Sequence, residues 1–201
     1  MLFRAVLDAN VLFSATVRDI FLEVALHGLY RPLWSDMILL EARDALVRTN
    51  KKSQTSADLL VYQVKTAFPS SLIADYEHLL GEHRGLDSGD EHVLAAARAA
   101  SADAIVTFNI GDFPRDMFSE FGIELKHPDD FLQDQLDLNP YVVIQALGGL
   151  LGYYQLPPRS AEELTSNLSR SELPRFGVVL SPYLRQIDEF ANSIREAKTL
   201  D

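Results

Sequence analysis

The chain has 201 residues and a mass of 22.5 kDa; with 47% hydrophobic and 23% charged residues it can bury roughly 70% of its unfolded surface, which excludes a disordered, collagen-like or disulfide-stapled class. It has no cysteine, so a disulfide, a thiolate nucleophile and a zinc–thiolate centre are all excluded, and any metal must take oxygen or imidazole ligands. A net charge of −11 argues at first sight against a nucleic-acid partner, but the acids are concentrated: residues 1–73 carry 8 bases and 7 acids, residues 74–138 carry 4 and 15, and residues 139–201 carry 6 and 7.

The opening MLFRAVLDAN lacks an apolar run followed by a cleavage site, and no stretch of about 18 apolar residues follows, so a cytoplasmic location is expected. Leu2 to Leu7 is a short apolar run ending at Asp8, the pattern of a strand buried on both faces. Asp19 to Leu29 reads as a helix stopped at Gly28, and Arg31 to Trp34 as a second strand with Trp34 in the core. Ser35 caps a helix running to about Thr49, whose apolar positions Ile38, Leu39, Ala42 and Leu46 recur at three- and four-residue steps. A further helix covers Ser56 to Ala67, and Leu72 and Ile73 begin a third strand. His78 to Gly89 reads as loop and Asp90 to Ala100 as an alanine-rich helix. Ala104 to Thr107 is a buried strand, Pro114 to Phe121 a short helix and Ile123 to Leu125 a last strand.

Strands alternating with helices predict an α/β fold, a parallel sheet with helices on both faces in an α/β/α sandwich. Asn139-Pro140 breaks the chain, and helices to about Tyr154, over Ala161 to Leu168, Glu172 to Leu180 and Pro182 to Lys198 make residues 139–201 an all-helical extension. Tyr141 to Tyr154 is nearly all apolar, so it should be buried: against the sheet domain, in a dimer, or under a protein partner.

Ligands of an open parallel sheet collect outside the carboxyl ends of its strands. Asp8 follows the first strand, Asp112 follows Ala104 to Thr107, and Asp87 and Asp90 flank the start of the alanine-rich helix. Each has a plain alternative: an Asx turn at Asp8, helix capping at Asp87 and Asp90, a loop acid at Asp112, and a solvated partner of Asp44 or Arg48 at Glu41. Several carboxylates from remote positions brought to one edge repel one another, and a bound divalent cation is the usual resolution.

Three segments carry a resemblance: V-L-D-A-N-V-L-F-S at Val6 to Ser14, L-D-S-G-D-E-H-V-L-A-A-A at Leu86 to Ala97, and A-D-A-I-V-T-F-N-I-G-D-F-P at Ala102 to Pro114. In this order and separation they resemble the PIN domain, and within it the VapC-type toxin ribonucleases of toxin–antitoxin operons. The resemblance covers residues 1 to about 135, leaving 139–201 as the helical extension, where Leu173 to Phe176 is similar to extensions on some longer toxins. It implies catalytic acids at Asp8, Glu41, Asp90 and Asp112, with Asp8, Asp90 and Asp112 as metal ligands. Asn10, Ser14, Asp87, Thr107 and Asn109 fall on supporting polar positions, and Asp44 is the other acid in reach of the Glu41 position.

The implied activity is a Mg2+- or Mn2+-dependent endoribonuclease using one or two ions to drive in-line attack of water on the phosphodiester, leaving a 5′-phosphate and a 3′-hydroxyl. The implied partners are an RNA substrate, a cognate antitoxin and a second copy in a homodimer, with no membrane. Arg43, Arg48, Lys51 and Lys52 form the densest basic cluster and are the candidate RNA contacts; the other reading is cations complementing a helix end. His92, next to Glu91, reads as a helix-surface residue, the other reading being a contact to substrate, and His27, His78, His83 and His127 form no cluster. Competing readings are a nuclease acting on DNA or on RNA outside a toxin system, and a non-catalytic PIN-like binding module. A phosphatase with Asp8 as nucleophile is disfavoured because Asn10 stands where a second acid is wanted.

Overall fold

A computed structural model describes residues 2–82, 86, 88–113, 120–154, 160–169 and 173–199. Asp87, His83, most of the helix expected over Pro114 to Phe121 and the turn at Pro157-Pro158 lie outside these residues. The chain forms two compact units, one of residues 1–18 and 30–127, the other of residues 19–29 and 128–201.

The first unit is built on a parallel sheet of β1 (Arg4–Leu7), β2 (Arg31–Ser35), β3 (Leu72–Ile73), β4 (Ala104–Val106) and β5 (Glu124–Lys126) in the order β3-β2-β1-β4-β5. The registers Val6↔Leu33 and Val6↔Ile105 place β1 at its centre, and Ala5, Val6 and Leu7 have no solvent exposure. Arg4, the one charge in the opening run, sits at the strand's start, where its guanidinium donates to the Ala100 carbonyl and pairs with Asp103. The chain winds outward from β1 through β2 to β3, then returns to the other side of β1 for β4 and β5. The winding reverses between β1 and β4, which makes the carboxyl ends of those two strands the natural ligand edge.

Flanking this sheet are α1 (Ala9–Phe13), the start of α2 (Ala15–Leu26), α3 (Asp36–Arg48), α4 (Gln54–Ala67) and α5 (Ser88–Ala99). Ser35 caps α3 as expected, its hydroxyl accepting the Ile38 amide at 3.2 Å. α4 starts two residues ahead of the expected Ser56 because Ser53 is its cap. In α5, Val93 to Ala97 are all at most 1% exposed, and the small alanines let the helix lie against β1, β2 and β4.

The second unit joins residues 19–29 to α6 (Pro128–Leu138), α7 (Pro140–Tyr153), α8 (Ala161–Ser169), α9 (Pro174–Val179) and α10 (Leu184–Lys198). The division falls at residue 127, ahead of the Asn139-Pro140 break, because α6 belongs with the helices: Phe131 stacks on Phe21 with ring centroids 5.5 Å apart. α9 has no side-chain cap of its own. The buried Asp129 of α6 accepts instead from the Arg175 and Phe176 amides at 3.0 and 2.7 Å, while Asp130 pairs with Arg175 at 2.5 Å. Two acids of the acidic middle third are therefore committed within the fold.

The apolar α7 packs on α10 through glycine. A Cβ at Gly148 would stand 2.4 Å from Phe190 Cβ and 2.9 Å from the Ile187 carbonyl, and one at Gly152 would stand 2.8 Å from Ile194 Cβ. Gly148→Ala is expected to destabilise the protein in urea unfolding by about 1–3 kcal/mol through overpacking, outweighing the gain of up to about 1 kcal/mol in helix propensity. Within the second unit, burial raises the Glu23 pKa, His27 opposes the rise and Asp19 adds to it. The folded state thus holds the Glu23 proton more tightly than the unfolded chain, and that stabilisation is complete below about pH 4.3 and lost as pH climbs through the raised folded value. Glu23→Gln should therefore raise the melting temperature at pH 7, with the difference shrinking towards zero below pH ~4.3 in a series of thermal melts.

Candidate active site

Asp8 is the last residue drawn into the strand pairing, its amide donating to the Val106 carbonyl of β4 at 3.1 Å, and at once the N-cap of α1. Its Oδ1 accepts the Ala9 amide at 2.6 Å; its Oδ2 accepts the Asn10 side-chain amide and the Thr107 hydroxyl, each at 2.6 Å. Thr107 Oγ1 in turn accepts from Asn10 Nδ2 at 2.9 Å and from the Asn109 amide at 3.0 Å, and Asn10 Oδ1 accepts the Phe108 amide at 3.2 Å. Both oxygens of residue 8 must be acceptors, so an amide side chain cannot replace the carboxylate without setting a donor against a donor. Burial raises the Asp8 pKa above the usual aspartate value; the Thr107 and Ala9 hydrogen bonds oppose the rise, the Glu41 carboxylate adds to it, and His92 lowers it.

A cleft of about 650 Å³ opens above Asp8. α3 divides its circumference between two tasks. Ile38, Leu39, Ala42 and Leu46 face the core, which turns Glu41, Asp44, Ala45 and Arg48, at helical steps of three and four, onto the cleft wall. Gly89 and Asp90 from the first turn of α5 form another wall, and Asn109, just ahead of the turn Ile110–Asp112, with Asp112 at its end, a third. Asp8, Glu41, Asp90 and Asp112, predicted from four remote positions, thus line one cavity, with Asn10 and Asn109 beside them.

Other expected positions fall elsewhere. Thr107 is fully buried behind Asp8, and Ser14 ends α1 with its carbonyl accepting the Arg18 amide, off the cleft wall. The basic cluster is dispersed: Arg43 turns to Asp44 and Asp58 at 3.1 and 3.5 Å, Lys51 lies over the Phe13 ring at 3.8 Å, and Lys52 is not part of the wall. Arg48 alone of the four lines the cavity. Asp44 and Phe13 line it too. The signal for Asp44 was its position three residues after Glu41; nothing in the sequence marked Phe13. His92, expected on a helix surface, is 1% exposed, and its Nε2 stands 3.1 Å from Glu41 Oε1.

Among the described residues, no three histidine or carboxylate side chains converge closely enough to form a finished metal shell. The donor chemistry of the cleft nonetheless fits a hard divalent cation: five carboxylates and one guanidinium among the described lining, with no sulfur donor in the chain. Thr107→Val keeps the shape of the side chain but removes three hydrogen bonds: Asp8 Oδ2 and Asn10 Nδ2 keep each other, while the Asn109 amide loses its acceptor. It is expected to lose about 1–3 kcal/mol in urea unfolding, with Thr107→Ser losing less.

The family model described as "PIN domain" matches residues 4–111, and one described as "VapC50 C-terminal domain" matches residues 128–181, beginning at the first residue of α6. The curated protein "Putative ribonuclease VapC50" of Mycobacterium tuberculosis (strain ATCC 25618 / H37Rv) is 40% identical over 87 residues, 43% of this chain and 51% of that protein. The match therefore spans about half the length of this curated relative. No solved structure matches the chain. With the parallel sheet, the cleft at the reversal of winding and a family match over more than half its length, the chain belongs to the PIN domain family.

Proposed function

We propose that the chain is a divalent-metal-dependent endoribonuclease and the toxin of a type II toxin–antitoxin pair. The observation that carries this reading is the acid-lined cleft at the carboxyl ends of β1 and β4. Asp8, Asp90 and Asp112 would hold Mg2+ or Mn2+, and Glu41 completes the acid set. A bound ion supplies charge neutralisation at the scissile phosphate and lowers the pKa of the attacking water.

The chain's own residues do the rest. Thr107 and Asn10 fix the Asp8 carboxylate by donating to it, and Asn109, held at the rim, offers an amide to phosphate. Arg48, on the α3 wall, is the cation best placed for the RNA backbone, a role that Arg43 and Lys51 would share only by leaving Asp58 and the Phe13 ring, and Lys52 from outside the cleft lining. Ser14 supports the segment that follows Asp8 from off the cleft wall, and Asp87 is a supporting polar residue three positions before Asp90. The activity is carried by the sheet unit within residues 1–135, and residues 139–201 are a helical extension that α6 joins. A cognate antitoxin and a second copy are its protein partners, with acids of the middle third as a surface for a basic antitoxin. The compartment is cytoplasmic; no helix among the described residues is long and apolar enough to cross a membrane.

Labelled total RNA, incubated with manganese, should be cut by the wild type and not by a chelator-treated sample, and Asp8→Asn should lose roughly 100-fold or more of the rate. Equal cleavage by both proteins, or cleavage that survives chelator, would remove the mechanism. Expression of the same pair in bacteria separates the toxin reading: a harmless, active wild type leaves the nuclease without a toxin role.

A further inference from the structure

We propose that His92 is a positioning residue for Glu41, its buried ring holding the carboxylate at the cleft so that the reaction depends on the contact. The proposal rests on the nuclease reading and deepens it. Glu41 lies in the middle of α3 on a side chain with three rotatable bonds, and shares the cleft lining with Asp8 and Asp44, whose negative charges repel its own. Its side chain is 38% exposed, so solvent alone would leave it free to sweep the cleft. Among the described residues, one hydrogen bond restrains it: Glu41 Oε1 to His92 Nε2 at 3.1 Å.

The other end of this contact is unlike a surface pairing. His92 is 1% exposed, and its Nδ1 is buried without a hydrogen-bond partner among the described residues. An ionised carboxylate only accepts, so the His92 Nε2 carries a proton and donates it to Glu41. A leucine at position 92 would avoid the unpaired nitrogen, and the imidazole's one polar contact is to an acid of the cleft. The spacing on α5 serves the same end. Asp90 faces the cavity and His92, two residues on, faces inward beneath it, so the helix that brings one acid to the site also pins an acid from α3.

The test is steady-state RNA cleavage with manganese by the wild type, His92→Leu and His92→Gln, whose side-chain amide presents a donor at the reach of Nε2. His92→Leu should lose at least about tenfold in kcat with KM within about twofold, and His92→Gln should recover most of that loss. The proposal is overturned if His92→Leu turns over like the wild type, or if His92→Gln falls as far as His92→Leu while both melt at the wild-type temperature. Nitrogen-15 NMR of the wild-type ring reads the contact without activity or metal. An Nε2-protonated ring that shifts on Glu41→Ala supports it, and an Nδ1–H ring indifferent to Glu41→Ala overturns it. An Asp8-dependent nuclease indifferent to His92→Leu fails this proposal alone. Cleavage unaffected by Asp8→Asn fails the nuclease reading, and the catalytic consequence of the contact with it.

Discussion

The cleft depends on one buried carboxylate that joins two strands. Asp8 closes the pairing of β1 with β4, caps α1 and accepts the Thr107 hydroxyl from the far side of the sheet's reversal. Removing such a group from water is unfavourable unless every lone pair that faces the protein meets a donor. The Ala9 amide, the Asn10 amide and the Thr107 hydroxyl meet that demand at 2.6 Å each. The joint is thus structural before it is chemical, and the walls of the cleft are arranged around a charge that folding has already fixed in place.

Those walls follow from ordinary amphipathic packing. α3 buries four apolar positions and must present its acids on the opposite side; α5 buries its alanines and must begin at the strand ends, where Asp90 falls. Among the described residues, none that lines the cleft needs a left-handed backbone. The second unit is organised differently, by close approach of α7 and α10 at glycine and by Asp129 reaching from one helix to the first turn of another.

Much of this was legible in the sequence. The buried strands are short apolar runs, and their carboxyl ends located Asp8, Asp90 and Asp112 without coordinates. What was not legible depended on rotation about a helix or on length. Arg43 and Arg48 look like one basic cluster, yet five residues on a helix turn the side chain by about 140°, so one faces Asp58 and the other the cleft. His92 stands two residues from Asp90, about 200° round, and is carried into the core. α1 has five residues, too few for a periodic signal. α6 begins Pro128-Asp129-Asp130, which in sequence continues an acidic stretch, and only the stacking of Phe131 on Phe21 and the capture of Asp129 show its allegiance.

That capture bears on how the second unit is assembled. α9 has six residues, far below the length at which a helix persists by itself in water. Its first-turn amides are satisfied from α6, some 45 residues earlier in the chain, so its order is borrowed from a distant segment. The dependence runs both ways, because without α9 the Asp129 carboxylate would be left buried with those two backbone donors gone. The order of each segment is therefore tied to that of the other, and a change that removes the Asp129 carboxylate is felt at both ends of the helical unit's sequence.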